Sequence, residues 1–291
     1  MESTIVGTGS FAALGIGALL SFILPAGLAL LWIRKKKEPV TTVLVGAATF
    51  LLFALVLEKP LLALVITGSH PVSRFLNANP VCWALVAGLF PGVFEETGRL
   101  VAFQTVLRKR TNRETSISHG IGHGGAEVII LLGLTYITYI IFSVMINTGT
   151  FQTVIDQAAT QAPDQVDSLK NLAGQLATLT VAGIGVAFVE RAFAVLFHIG
   201  ASILVFYACR DKGRFWLYPL AVLLHTAMDF VASLALAGVV QLSTLALEAF
   251  VVVFGVLTFC GAYFLLYRRD AVTSSNSTQL LSESEETDTS M

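Results

Sequence analysis

The sequence predicts an all-α membrane protein, a polytopic bundle of about seven transmembrane helices. Three observations predict it. Of 291 residues, 55% are hydrophobic and only 13% are charged, about half the charged share of an ordinary soluble domain. The apolar residues fall in runs long enough to cross a hydrocarbon core, which takes about 20 residues. Basic residues punctuate those runs, at 34–37, 108–113, 210–214 and 268–269. The formal net charge of −1 leaves no basic field for nucleic acid. Cys82, Cys209 and Cys260 lie in or beside apolar runs, so no disulfide framework is expected.

The spans follow in order. Phe11–Ile33 is uncharged and ends at Arg34-Lys35-Lys36-Lys37. Its positive charge follows the apolar run, the reverse of a signal peptide. Val40–Leu57 is the second span and can continue past Glu58-Lys59-Pro60 to Ile66. Val81–Leu107 is the third, apolar apart from Glu95, Glu96, Arg99 and Gln104. The fourth runs from about Gly120 to Ile146. The polar stretch Phe151–Leu176 reads as a loop with one or two amphipathic helices, broken at Pro163. The fifth span runs from about Thr178 to Cys209, the sixth covers Trp216–Ala237 and the seventh Leu247–Tyr267. A break near Glu190 would make eight. The chain thus divides into 1–80 (two N-terminal spans and a connection), 81–267 (a core of spans) and 268–291 (a Ser/Thr/Glu-rich cytoplasmic tail, read as disordered).

Thirteen of the 18 Lys and Arg lie in the four clusters. Positive loops stay inside, so seven crossings put the N-terminus out and the C-terminus in. The sequon Asn276-Ser277-Thr278 then falls inside, where it is not glycosylated.

Ionisable groups are costly in lipid and signal function by default. Counted from the basic clusters, Glu96 and His198 are each 12 residues deep, His225 is 11 and Glu127 is 14. At the helical rise this is roughly 15–20 Å, near mid-bilayer. Four helices therefore carry Glu or His at one level. Faces agree with depth. Glu95 and Arg99, His123 and Glu127, and His225 and Asp229 are each four residues apart, and Arg191 and His198 are seven apart. His119 extends the His123 stripe but is read as loop, and Glu58 and Gln104 as structural.

Two chemistries suit these groups. A Glu beside His in a low-dielectric cavity can hold and deprotonate a water. Two His and a carboxylate can instead bind zinc; His123, His198 and His225 with Glu95 or Glu96 are the candidate ligands. Either arrangement attacks a carbonyl carbon.

Four segments together carry a resemblance. They are Glu95-Glu96-Thr97-Gly98-Arg99, Gly122-His123-Gly124-Gly125-Ala126-Glu127, Glu190-Arg191 leading to His198, and His225-Thr226-Ala227-Met228-Asp229. Across Val81 to Asp229 the sequence resembles the YhfC family of intramembrane peptidases. That family is related to the type II CAAX prenyl proteases, the PrsW proteases and the Aph scaffold subunit of γ-secretase. The resemblance implies that Glu95 activates water with Glu96 and Arg99 in support. It matches His198 to a second catalytic motif, and His225 with Asp229 to an oxyanion-binding pair. His123 and Glu127 match the YhfC pattern alone. Arg99 follows Glu96 by three residues rather than four, Ala194 stands where the CAAX pattern has Phe, and Asp229 replaces Asn, so prenyl specificity is not implied.

The function expected is therefore an intramembrane endopeptidase of glutamate or metallo type, with zinc as candidate cofactor. Its partners would be the bilayer and a membrane-protein or lipidated-peptide substrate. Its location would be the plasma membrane. The alternative is a non-catalytic scaffold like the Aph subunit. A proton-coupled transporter ranks third, because neither repeats nor paired broken helices are seen.

Overall fold

In a computed structural model, residues 5–270 are described and are helical nearly throughout, with no strand among them. The tail from residue 271, with its sequon, lies outside the described residues.

Helix α1 (Thr8–Lys36) ends on Arg34, Lys35 and Lys36, cations that complement the negative end of its dipole. Lys37 then takes a left-handed backbone (φ 55°) that stops the helix. Helix α2 (Val40–Thr67) continues past Pro60, the longer of the two readings. Its Phe50–Glu58 stretch is π-helical, a wider winding that often accompanies functional sites.

The short helix α3 (Pro71–Ala78) and α4 (Pro80–Gln104) meet at a bend of 113°. Pro80 opens α4 at a position where its missing N–H has no helical partner to lose. Helix α5 (Glu114–Asn147) starts six residues before the expected Gly120. Two short helices, α6 (Phe151–Gln161) and α7 (Val166–Thr178), flank Pro163 as the polar stretch predicts. Helix α8 (Val181–Arg210) is unbroken at Glu190, which removes the eight-span alternative. Helices α9 (Leu217–Leu236) and α10 (Thr244–Asp270) are the last among the described residues. Ser243 Oγ caps α10 by accepting from Ala246 N at 3.2 Å.

Six of these helices are long and apolar enough to span a membrane, and α4 with α3 makes a seventh. The protein is thus an all-α membrane protein, with six or seven candidate spans among the described residues. Exposed Leu, Ile, Val and Phe cover its outer faces, as lipid-facing surfaces require.

Packing divides the chain into two units. One comprises the chain up to Leu28 together with Ala126–Ala192. Its core joins Leu14, Ala18, Leu132, Tyr136 and Ile184. The other comprises Ala29–Gly125 and the chain from Phe193. In it the second half of α8 is the central element, with Val195, Phe197, Ile203 and Val205 almost wholly buried.

Small residues decide how closely the helices of this larger unit approach. A Cβ on Gly122 of α5 would collide with the carbonyl of Val43 on α2. One on Gly92 of α4 would collide with Thr226 of α9. Backbone therefore lies directly on backbone, the close approach that glycine permits within membranes.

Candidate active site

Four helices of the larger unit bring their ionisable side chains together. Helix α4 supplies Glu95, Glu96 and Arg99, one turn apart or less. Helix α5 supplies His119 and His123, α8 supplies His198, and α9 supplies His225. All seven side chains are buried, Arg99 and Glu96 completely so.

The contacts form one network. His123 Nε2 lies 2.8 Å from Glu95 Oε2. Arg99 Nη1 donates to Glu96 Oε1 at 2.5 Å. Arg99 Nη2 donates to His198 Nδ1 at 2.6 Å and lies 3.8 Å from Glu95 Oε2. His225 Nδ1 lies 2.8 Å from the same Glu96 oxygen. Its Nε2 is 3.5 Å from Asp229 Oδ2, one helical turn on. Two proton positions follow from donor rules. Arginine only donates, so His198 Nδ1 accepts and its proton sits on Nε2. A carboxylate accepts, so His225 carries a proton on Nδ1.

Aromatic rings wall the cluster. Phe197 meets His225 edge-on at 4.9 Å and His198 at 5.5 Å. Phe50, at the start of the π-helical stretch of α2, meets His123 at 5.4 Å. Packed apolar rings lower the local dielectric, which strengthens charge interactions beside them.

The chain's similarities can now be set beside this geometry. A family model described as YhfC intramembrane metalloprotease matches residues 20–266. The chain belongs to the YhfC family. One relative is the "Uncharacterized membrane protein YhfC" of Bacillus subtilis (strain 168). It is 27% identical over 228 residues, which cover 78% of this chain and 86% of the relative. No solved structure matches.

The YhfC family description implies a metal ion, and the residues present fit one. Ligand atoms of Glu95, His123 and His198 lie within 4.8 Å of one another, all three residues buried. Two imidazoles and one carboxylate are a donor set of catalytic zinc sites, with a fourth position left for water. His123 Nδ1 is buried without a hydrogen-bond partner among the described residues, as are Glu96 Oε2 and Arg99 Nε. Orphaned atoms of this kind accompany ions or ordered water.

This set is narrower than the sequence-derived one for the YhfC member. His225 is not in it; its Nδ1 faces Glu96 and its Nε2 faces Asp229. Glu127 belongs to the smaller unit, where its Oε1 accepts from Arg191 Nη1 at 2.7 Å, and Arg191 Nε also meets Glu190 Oε2 at 2.9 Å. The shared stripe with His123 gives a common face, and the partner on that face differs along its length.

His119 corrects the reading as loop. It lies in α5, fully buried, 6.2 Å from His123 between ring centroids. Its Nδ1 lies 3.1 Å from Ser202 Oγ and its Nε2 3.3 Å from Thr49 Oγ1. The signal was the four-residue spacing to His123. Glu58 is likewise buried, beside Lys59 at 3.2 Å. Sequence reasoning missed Glu38, whose buried carboxylate accepts from Asn112 Nδ2 and from Ser118 Oγ at 3.1 Å near the start of α5.

Proposed function

We propose that this chain is an intramembrane endopeptidase that hydrolyses peptide bonds of membrane proteins or lipidated peptides in the plasma membrane. The observation that carries the reading is the convergence of Glu95, His123 and His198 within 4.8 Å in a buried cluster. The family description supports the reaction class.

Each residue has a task in this reading. His123 and Arg99 orient the Glu95 carboxylate. A water against Glu95 gives up its proton as its oxygen attacks the carbonyl carbon, and that proton goes on to the leaving amine nitrogen. Arg99, held by Glu96, faces the charge that develops on the carbonyl oxygen. Glu96 orients the His225 ring, as the orienting carboxylate does in a catalytic triad. Asp229 keeps the far side of that imidazole polar. Glu95, His123 and His198 are the residues that would hold a metal ion. When bound, such an ion acidifies water and polarises a carbonyl.

The test is cleavage of transmembrane peptides by the purified protein in liposomes, with metal content measured on the same sample. Wild-type cleavage that falls by about 10²–10⁴-fold in Glu95→Gln supports the reading. A wild-type protein that assembles with a partner but never yields a cleavage product overturns it in favour of a scaffold.

A further inference from the structure

Away from the ionisable cluster, helices α8, α9 and α10 enclose a cleft of about 860 Å³. Its walls are apolar: Leu204 of α8, Leu220 and Leu224 of α9, and Phe254 and Leu265 of α10. Its mouth is not. Arg214, Arg269 and Asp270 line it at the basic end of the bundle, beside Trp216. Among the charged lining residues the two arginines outnumber the single aspartate.

We propose that this cleft binds one anionic glycerophospholipid, its phosphate on Arg214 and Arg269 and an acyl chain along the leucine wall. Four features favour that occupant. First, the charge changes along the cleft as it does along a lipid, cationic at one end and uncharged beyond. Arginine forks suit phosphate oxygens, and basic pockets between transmembrane helices take anionic headgroups. Arg214 does pair with Asp211 at 3.0 Å, but both side chains are about half exposed, so a phosphate can replace that partner. Asp270 accepts from Tyr207 Oη at 3.0 Å, and Arg269, like Arg214, has a partner of its own that a phosphate would replace.

Second, Trp216 is 59% exposed at the mouth. Tryptophan concentrates at the headgroup level of a bilayer, which puts the arginines at phosphate depth. Third, depth matches. Leu224 lies eight residues beyond Trp216, about 12 Å along the helix, against roughly 15 Å for half the hydrocarbon core. Fourth, the floor is open. A Cβ added at Gly261 would meet nothing within 4 Å.

The inner end of the cleft touches the aromatic wall of the ionisable cluster. Leu224 and Phe254 pack on the core around Phe197, the ring that meets His225. A lipid here would brace the outer side of that wall.

The test uses the full chain purified in a neutral detergent. Phosphatidylglycerol and phosphatidylcholine are titrated separately, with native mass spectrometry counting retained lipid and thermal unfolding reading stabilisation. One phosphatidylglycerol should be retained, at least tenfold tighter than phosphatidylcholine. Arg214→Gln with Arg269→Gln should erase that preference. Gly261→Leu should exclude the lipid while the apo unfolding temperature stays at or above wild type, since leucine is a better helix former than glycine. Equal retention of the two lipids by the wild type overturns the proposal. So does undiminished phosphatidylglycerol binding in Gly261→Leu, which would place the lipid on another face.

Discussion

Arg99 Nη2 lies 2.6 Å from Nδ1 of His198, a residue 99 positions later in the chain. Since arginine only donates, the lone pair on that nitrogen is spoken for. A cation held through that nitrogen would need the same lone pair, so Arg99 and such a cation would compete for His198. Zinc titration of the metal-stripped protein should perturb the His198 ring resonances. In His198→Gln, zinc affinity should fall by at least tenfold. Undiminished zinc binding in that variant would remove His198 from the ligand set.

Glu96 neutralises the fully buried Arg99. Glu96→Ala leaves that guanidinium without its closest carboxylate, a loss worth about 3–5 kcal/mol for a buried pair. Folded yield and unfolding temperature should drop sharply. Glu95→Gln should unfold near the wild-type temperature, because it keeps a hydrogen-bonding group of the same shape. Similar unfolding temperatures for Glu96→Ala and wild type would count against the pairing.

His119 and His123 are neighbours on one helix with different partners. His119→Ala leaves Ser202 Oγ without a partner and should cost about 1–3 kcal/mol of stability, with bound metal retained. His123→Ala should lose any zinc that the wild type takes up. Equal metal content in the two variants would merge their roles.

Gly122 faces the Val43 carbonyl at backbone distance. Gly122→Ala should raise helix propensity yet destabilise, by about 1–3 kcal/mol or more, because the methyl group has nowhere to go. Gly15, whose added Cβ meets nothing within 4 Å, is the control, and Gly15→Ala should be neutral or stabilising. If both behave alike, the close approach is not what holds α5 on α2.

The basic clusters predict sidedness. A reporter fused after Ala237 should lie outside the cell, and one fused after Asp270 inside. Both on one side would mean that α10 does not cross.

Much of this was readable in the chain. Apolar runs and basic clusters fix where helices cross, because hydrocarbon tolerates few alternatives. Pro163 broke the polar stretch where a proline must. The distance from each basic cluster gave the depth of Glu96, His198 and His225, and those three do meet. Glu127 shows the limit. Residue counting gives position along a helix axis and the i, i+4 stripe gives a face, but neither says which helix that face meets. Arg191 took Glu127, and that pairing depends on packing across 64 residues. His119 was displaced for a different reason. Its helix begins at Glu114, close behind the last arginine of the cluster, so the basic residues mark the helix start more tightly than the loop length suggested. The π-helical turns of α2 left no compositional trace.

Helices seated carbonyl to glycine have no side-chain cushion through which to slide or part. The larger unit therefore has little freedom to widen around an intact transmembrane helix. On the reading proposed above, a polypeptide cut beside Glu95 would have to arrive with its own hydrogen bonds already loosened. Segments carrying glycine or proline near the cut should be consumed quickly, and uniform polyleucine should survive. Selectivity would then be written in how readily a substrate unwinds, more than in which side chains flank the bond.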